Sequence, residues 1–321
     1  MIINNQAINK LKSAEKIAIF IHINPDGDCL GSASALKQAL VSLNKQVDIF
    51  CDSPVAEQYK FIKYINEINN KTTLSYDLLV SVDCSDAKRM GEYSKMFVEH
   101  ENTLEIDHHQ TNEQYANVNV VEDVSSTCFI IYHYIKALEV KIDADIATAL
   151  YSGIATDTGC FQHSNVTSLD HIVCAELIDC GIDLYYVNSQ LFKYCTLSRF
   201  ELFKTALASA KFFFEGKLGI MSITRVDLKR TKAQLSDTTG IVNSITNVNG
   251  VEIGVMIYEE KPGLFKCSFR SSGNVDVSAL ANKNFGGGGH KFAAGCNIFG
   301  SLNTVINKVV EACKSELEIK D

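Results

Sequence analysis

The sequence predicts an α/β protein: a parallel sheet with helices on both faces, followed by a smaller α+β domain with a mixed sheet. Three observations predict it. Short β-branched runs alternate with Ala-rich helical stretches through the first half, the pattern of strands joined by crossover helices. From Leu218 onward the pattern changes to closely spaced β-rich runs. A length of 321 residues suits two domains of ~150 residues each.

The elements follow in order. Ile2 to Ala14 reads as a short helix, and Ile17–Ile23 as a buried strand. The strand ends in Asn24-Pro25-Asp26-Gly27-Asp28, where Pro and Gly interrupt regular structure. Leu30 to Leu43 reads as an Ala-rich helix. Gln46–Cys51, Asp77–Val82 and the shorter Asn102–Ile106 supply three more strands. Helices are expected over Phe129–Leu138, Ala144–Ser152 and Leu169–Cys180, the last ended by Gly181. The chain crosses to the second domain around Asp183–Leu191, the one obvious hinge. An amphipathic helix over Arg199–Lys211 precedes the β-rich runs LGIMSI, VEIGVMIYE, LFKCSFR and GCNIFG, and a helix over Leu302–Leu317 closes the chain. The expected boundaries are 1–185 for the first domain, 186–200 for a linker and 201–321 for the second.

Composition narrows the function. Apolar residues form 46% of the chain, enough for a sizeable core. The N-terminus lacks a charged-then-apolar leader, and no apolar run approaches the ~20 residues that cross a bilayer. The 11 cysteines include no Cys-x-x-Cys pair and no ligand-like spacing, so they read as reduced, buried thiols of a cytoplasmic protein. Net charge is −8, but residues 1–200 carry −11 and residues 201–321 carry +3. The overall sign argues against coating long duplex nucleic acid, where Lys and Arg must neutralise phosphates. An acidic half can hold cations while a mildly basic half holds a small anion.

The acids and histidines fall where strands end. His22, Asp26 and Asp28 follow the first strand, Asp83 the third, and Asp107-His108-His109 the fourth. Asp157 closes the segment IATALYSGIATD. Ligands of open parallel sheets bind beyond the carboxyl ends of the strands. Each acid alone also reads as a turn residue or helix cap. Together they would repel one another and raise each other's pKa values unless cations neutralise them. Carboxylates with a few imidazoles suit Mn²⁺, Mg²⁺ or similar ions.

These residues resemble a known family. His22-Ile-Asn-Pro-Asp26-Gly-Asp28, Val82-Asp83-Cys84-Ser85-Asp86, Asp107-His108-His109 and Asp157-Thr-Gly-Cys-Phe161 resemble the four ordered motifs of DHH phosphoesterases. Phe285-Gly-Gly-Gly-Gly-His290-Lys-Phe-Ala-Ala-Gly295 resembles the glycine-rich signature of the DHH-associated C-terminal domain. Within that family the chain is similar to the oligoribonuclease/pAp-phosphatase (nanoRNase) type and to stand-alone di-adenylate phosphodiesterases. The resemblance implies two divalent cations, Mn²⁺ first with Mg²⁺ or Co²⁺ as alternatives. It implies His22, Asp26 and Asp83 on one cation, and Asp28, Asp83, His108 and Asp157 on the other. Asp107 then shapes the loop, and His109 contacts the scissile phosphate. The activity implied is hydrolysis of oligonucleotides of two to five units to mononucleotides, or of pAp to AMP and phosphate. Cyclic di-AMP hydrolysis is the alternative; inorganic pyrophosphatase and non-catalytic sensor rank lower. An active site in the cleft between the domains and a short RNA, DNA or small-nucleotide partner also follow, and a homodimer is compatible with the sequence.

Residues suited to gripping the substrate lie in the second half. Gly286, Gly287, Gly288 and Gly289 offer consecutive backbone N–H groups without side-chain bulk, and His290 follows them. Arg270, Ser271 and Ser272 end a strand and offer phosphate donors. Arg89 reads equally as a phosphate contact or an exposed side chain. Ser125-Ser126-Thr127 reads as a helix cap or as a family motif.

Overall fold

The computed structural model describes residues 3–71, 73 and 75–317; Ile2, placed in the first helix by the sequence, lies outside them. Backbone packing divides the chain into two compact units, one ending at Tyr194 and the other beginning at Cys195. The expected linker 186–200 is largely helical.

The first unit opens with α1 (Asn5–Ser13), β1 (Lys16–Phe20), α2 (Gly27–Ser42), β2 (Gln46–Phe50) and β3 (Leu78–Val82). It continues through α3 (Ser94–Val98), β4 (Thr103–Asp107), β5 (Val118–Val121), α4 (Thr127–Ala137), α5 (Ala144–Asp157), α6 (Ser168–Asp179) and α7 (Leu184–Asn188). The strands form one parallel sheet in the order β2-β1-β3-β4-β5. The four strands read from the sequence are there, shortened by one to three residues or shifted by one. β5 was not foreseen.

Every residue of β3 and β4 is buried, including Glu105 and Asp107. Apolar runs such as Leu78–Val82 form such strands because helices cover both faces. The chain leaves β1 toward β2 on one side, while β3 lies on the other. The carboxyl ends of β1 and β3 therefore flank the point where the strand order reverses, and the loops there diverge to leave a crevice.

Several helices have bounds other than those expected, the one read over Arg199–Lys211 spanning Leu197–Ala208 instead, and two of the differences place a carboxylate. The helix expected from Leu30 starts at Gly27, because Asp26 caps it: Asp26 Oδ1 accepts the Cys29 N–H at 3.1 Å. Asp28 thus sits in its first turn. The helix expected to stop at Ser152 runs on to Asp157, its last residue. α2 and α5 cross closely on glycine. A Cβ on Gly31 would lie 2.4 Å from the Ala149 carbonyl oxygen, and one on Gly153 would lie 2.2 Å from Cys128 Sγ and 2.7 Å from Asp28 Oδ1. Only residues without side chains allow this approach.

The second unit contains α8 (Leu197–Ala208), β6 (Lys211–Phe213), β7 (Leu218–Ile223), α9 (Arg225–Thr231), α10 (Asn243–Thr246), β8 (Ile253–Lys261) and β9 (Leu264–Ser271). It ends with α11 (Val277–Phe285), β10 (Gly288–His290), β11 (Ala293–Phe299) and α12 (Leu302–Glu316). Its six-stranded sheet has the order β10-β11-β9-β8-β7-β6, with only β7 and β8 parallel. The mixed sheet agrees with the sequence reading; the helices α9 to α11 and the strands β6 and β10 were not read. Among the described residues no helix is long and apolar enough to cross a membrane.

Candidate functional site

The loops and helix ends around the β1/β3 crevice bring His22, Asp26, Asp28, Asp83, Asp107, His108, His109 and Asp157 together. His22 Nε2 lies 3.7 Å from Asp26 Oδ2 and 3.5 Å from Asp83 Oδ2. His108 Nε2 is ringed by three carboxylates, at 4.0 Å from Asp28 Oδ2, 3.6 Å from Asp83 Oδ1 and 3.5 Å from Asp157 Oδ2. Asp83 thus offers one oxygen to each imidazole.

The backbone and its neighbours aim these groups. Asp83 follows β3 with a φ of +59°, in the left-handed region that an L-residue occupies at a cost, and its N–H donates to the Ile106 carbonyl at 3.0 Å. His22 Nδ1 meets the Ile23 carbonyl at 2.8 Å, and His108 Nδ1 meets that of Val124 at 3.1 Å. Those contacts make Nδ1 the donor on each ring and turn an unprotonated Nε2 inward, the form that binds a cation. Asp28 accepts the Thr127 and Cys128 N–H groups at 2.6 and 2.8 Å, at the start of α4. Helix N-termini favour such anions.

Electrostatics test whether cations fit. Burial first, then the charges of Asp83 and Asp157, push the Asp28 carboxyl well above its usual range. Burial, with Asp83 and Asp26 adding to it against His108, lifts Asp157 to about 6. Burial alone would lower His108, but Asp28, Asp83 and Asp157 raise it to about 9. Burial would raise Asp26; His22, the Cys29 N–H and the Arg89 charge outweigh it and hold that carboxyl low. Without cations, then, this cluster relieves its repulsion by taking up protons. Hard oxygen donors with two inward-facing imidazoles match divalent ions, so the residues fit the cations expected.

His109 stands at the edge of the cluster, its Nδ1 3.8 Å from Asp83 Oδ1, and with Asp83 and His108 it forms a further group of candidate ligand atoms within 4.8 Å of one another. Its Nδ1 donates to Asp107 Oδ1 at 2.8 Å, and its ring lies against that of His108 with centroids 4.6 Å apart. Asp107 Oδ2 accepts the Asn112 side-chain N–H at 2.6 Å, and Asn112 also reaches Glu105 Oε1. The buried Glu105 Oε2 has no hydrogen-bond partner among the described residues, and burial lifts this carboxyl to about 7.

Two contributors, Asn112 and Cys29, escaped the sequence reading, and Thr127 is marked there only within Ser125-Ser126-Thr127. Thr127 Oγ1 donates to Asp83 Oδ1 at 3.0 Å, while Ser126 supplies the helix cap and Ser125 Oγ bonds Asp170. The helix-cap reading of Ser125-Ser126-Thr127 holds at Ser126. Asn112 follows the histidine pair by three residues in a polar loop, without a pattern to mark it. Cys29 Sγ shares a ring with His22 and Asp83 in which the ligand atoms all lie within 4.8 Å of one another. No cysteine had been read as having ligand-like spacing. The signal was Asp26-x-x-Cys29, an i,i+3 pair on the first turn of a helix.

The residues read as substrate grip lie in the second unit, Arg89 excepted. Arg270 of β9, Ala293 of β11 and His290 of β10 are register partners in one row, so Arg270 and His290 share a face with only a small side chain between them. Arg270 Nη1 donates to the Phe269 carbonyl at 2.9 Å. Ser271 Oγ accepts the N–H groups of Gly273 and Val275, while Ser272 is exposed. The glycine run differs from a free anion cradle. Gly286 and Gly287 donate their N–H groups to the carbonyls of Asn282 and Ala281, ending α11, and Gly288 and Gly289 pair with β11.

Residues 16–154 match the DHH family, N-terminal domain, and residues 223–317 match the DHHA1 domain. The bifunctional oligoribonuclease and PAP phosphatase NrnA of Thermus thermophilus is 31% identical over 96% of this chain and 92% of its own. This chain belongs to the DHH family of phosphoesterases. A DHH relative of the same name from Mycoplasma genitalium is 28% identical over 97% of both chains. Among solved structures, an exopolyphosphatase-related protein from Bacteroides fragilis shares the DHH fold with a TM-score of 0.90 and 23% identity, over 97% of this chain and 95% of its own. DHH phosphoesterases are metal-dependent hydrolases, and the chain is one of them.

Proposed function

We propose that this DHH hydrolase cleaves short nucleotides, releasing mononucleotides from oligonucleotides of two to five units and AMP and phosphate from pAp. The observation that carries the reading is the ring of three carboxylates around His108 Nε2, coupled through Asp83 to His22. The names of the Thermus and Mycoplasma relatives support the substrate class.

His22, Asp26 and Asp83 would hold one cation, and Asp28, Asp83, His108 and Asp157 a second, most suitably Mn²⁺. A bound pair supplies a water of lowered pKa and offsets charge on the phosphoryl oxygens. The chain's own groups do the rest. Asp107 accepts the Nδ1–H of His109 and orients the ring, so that Nε2 would face a phosphate oxygen and the departing oxygen as a general acid. Arg270 and His290 suit a terminal phosphate, Arg270 by its planar fork. Ser271 and Ser272 add hydroxyls, and Gly288 and Gly289 keep that surface low. Arg89 would lend charge beside Asp26. The net charge of −8 supports exclusion of long duplexes, and free cysteines, most of them buried, support a cytoplasmic setting.

The test is one panel of substrates with Mn²⁺: pAp, pApA, cyclic di-AMP, a long RNA strand and pyrophosphate. Release of AMP from pApA and pAp, with pyrophosphate and long RNA untouched, is expected. Turnover of pyrophosphate alone overturns the reading. Asp83→Ala should abolish every activity.

A further inference from the structure

The geometry points to Cys29 as an additional, sulfur ligand of the cation held by His22, Asp26 and Asp83. This inference rests on the two-cation reading above and extends it, because it assigns a soft donor to one of two otherwise hard sites.

Position supports it. Cys29 stands in the first turn of α2, where its N–H donates to Asp26 Oδ1 at 3.1 Å. That bond fixes the turn, leaves Asp26 Oδ2 facing His22 Nε2 at 3.7 Å, and carries the Cys29 side chain to the same side. Its Sγ, a His22 ring nitrogen and an Asp83 oxygen all lie within 4.8 Å of one another, and all three residues are buried. The neighbouring thiols are disposed differently. Cys51 Sγ meets the His22 carbonyl at 3.5 Å, and Cys128 Sγ meets the Asp28 carbonyl at 3.6 Å, both backbone partners. Cys84 packs with Phe20, Phe50 and Met90, and among the described residues it joins no group of candidate ligand atoms.

Chemistry then separates the two cation positions. A thiolate favours softer ions over Mg²⁺, whereas the Asp28–Asp83–His108–Asp157 group offers oxygens and one imidazole. On coordination Sγ loses its proton to solvent, and no other bond changes. The position beside His22 should therefore prefer Co²⁺, Zn²⁺ or Cd²⁺ to Mg²⁺, while the other keeps no such preference.

Cobalt makes this visible. Full-length protein titrated with Co²⁺ should show visible ligand-field bands, which report cation binding, and a near-ultraviolet sulfur-to-cobalt charge-transfer band, which reports Cys29. Cys29→Ser should lose the charge-transfer band and keep ligand-field bands. Its Cd²⁺ affinity should fall by at least the ~10–100-fold that losing an outer-shell partner costs, with Mg²⁺ affinity unchanged. Cys84→Ala and Cys128→Ala should keep the band. X-ray absorption on the zinc-loaded wild type supplies a measurement that needs no variant, with a sulfur neighbour expected at about 2.3 Å. Ligand-field bands without a charge-transfer band or sulfur neighbour overturn the assignment and leave the two-cation reading standing. A charge-transfer band that survives Cys29→Ser also overturns it. No cobalt uptake at all overturns both.

Discussion

Thr127 is a single hydroxyl placed between a helix cap and Asp83, and its removal should be felt in chemistry more than in folding. Thr127→Val keeps the shape and deletes the 3.0 Å bond to Asp83 Oδ1. We expect kcat/KM to fall by about 10–100-fold, the usual cost of losing a bond that orients a ligand, with an unchanged circular dichroism spectrum. A loss no larger than twofold would show that Asp83 needs no such support. Glu105 gives the opposite kind of effect. Its carboxyl titrates near 7 when folded and in the ordinary range, near 4.5, when unfolded. Between those values the folded state holds a proton that the unfolded state has released, so this group costs stability as pH rises. Glu105→Gln should therefore be more stable than wild type at pH 8, by roughly 1–3 kcal/mol, with the gap closing toward pH 4.5. Denaturant melts at both values check it.

The ligand-type residues were legible because acids and imidazoles at the ends of apolar runs are unusual, and three strand ends carried them. For Asp83, His108 and Asp157 that pattern marked the position, and the family resemblance supplied the expected role. Asn112 and Cys29 were not legible, because each is an ordinary residue whose role comes from what the fold sets beside it; Thr127 was marked only as part of Ser125-Ser126-Thr127.

At the scale of elements, the glycine crossing of α2 on α5 sets the spacing of Asp28 and Asp157. Gly153→Ala would drive a methyl to 2.7 Å from Asp28 Oδ1 and 2.2 Å from Cys128 Sγ. Overpacking of this kind costs about 1–3 kcal/mol, and here it would also displace a proposed cation ligand. Thermal melts should show lower stability, and isothermal titration should show weakened Mn²⁺ binding. Stability loss with full Mn²⁺ affinity would mean that Asp28 can move aside freely. Apolar β-branched runs such as Ile17–Ile23 and Leu78–Val82 announced their strands, since burial on both faces leaves no polar alternation to confuse. β5 is four residues, buried only at alternate positions, and too short to stand out. β10 is a glycine strand, held by pairing with β11 against the low strand propensity of glycine. Asp26 misled in a useful way: Pro25 and Gly27 looked like an interruption, yet they bracket the cap of α2.

For the molecule as a whole, the acidic cluster should make stability depend on divalent cations. A cation that binds only the folded state adds about 2.7 kcal/mol at a hundredfold excess over its Kd, so Mn²⁺ should raise Tm and a chelator should lower it. Binding must also displace the protons that the cluster otherwise holds. With Asp157 near 6 and His108 near 9, Mn²⁺ affinity should climb as pH rises through that interval. Titrations at three pH values measure the slope; a flat profile would show that neither group ligates.

All six residues assigned to cations lie between His22 and Asp157, in the unit that ends at Tyr194, while Arg270 and His290 belong to the unit that begins at Cys195. On the proposed reading, hydrolytic power and molecular taste are thus written in separate, contiguous stretches of one polypeptide. A chimera that keeps residues 1–194 and takes its remainder from another DHH protein should inherit the donor's diet and retain the recipient's appetite for manganese. Descent could exploit the same seam, revising what is eaten while the teeth stay unchanged.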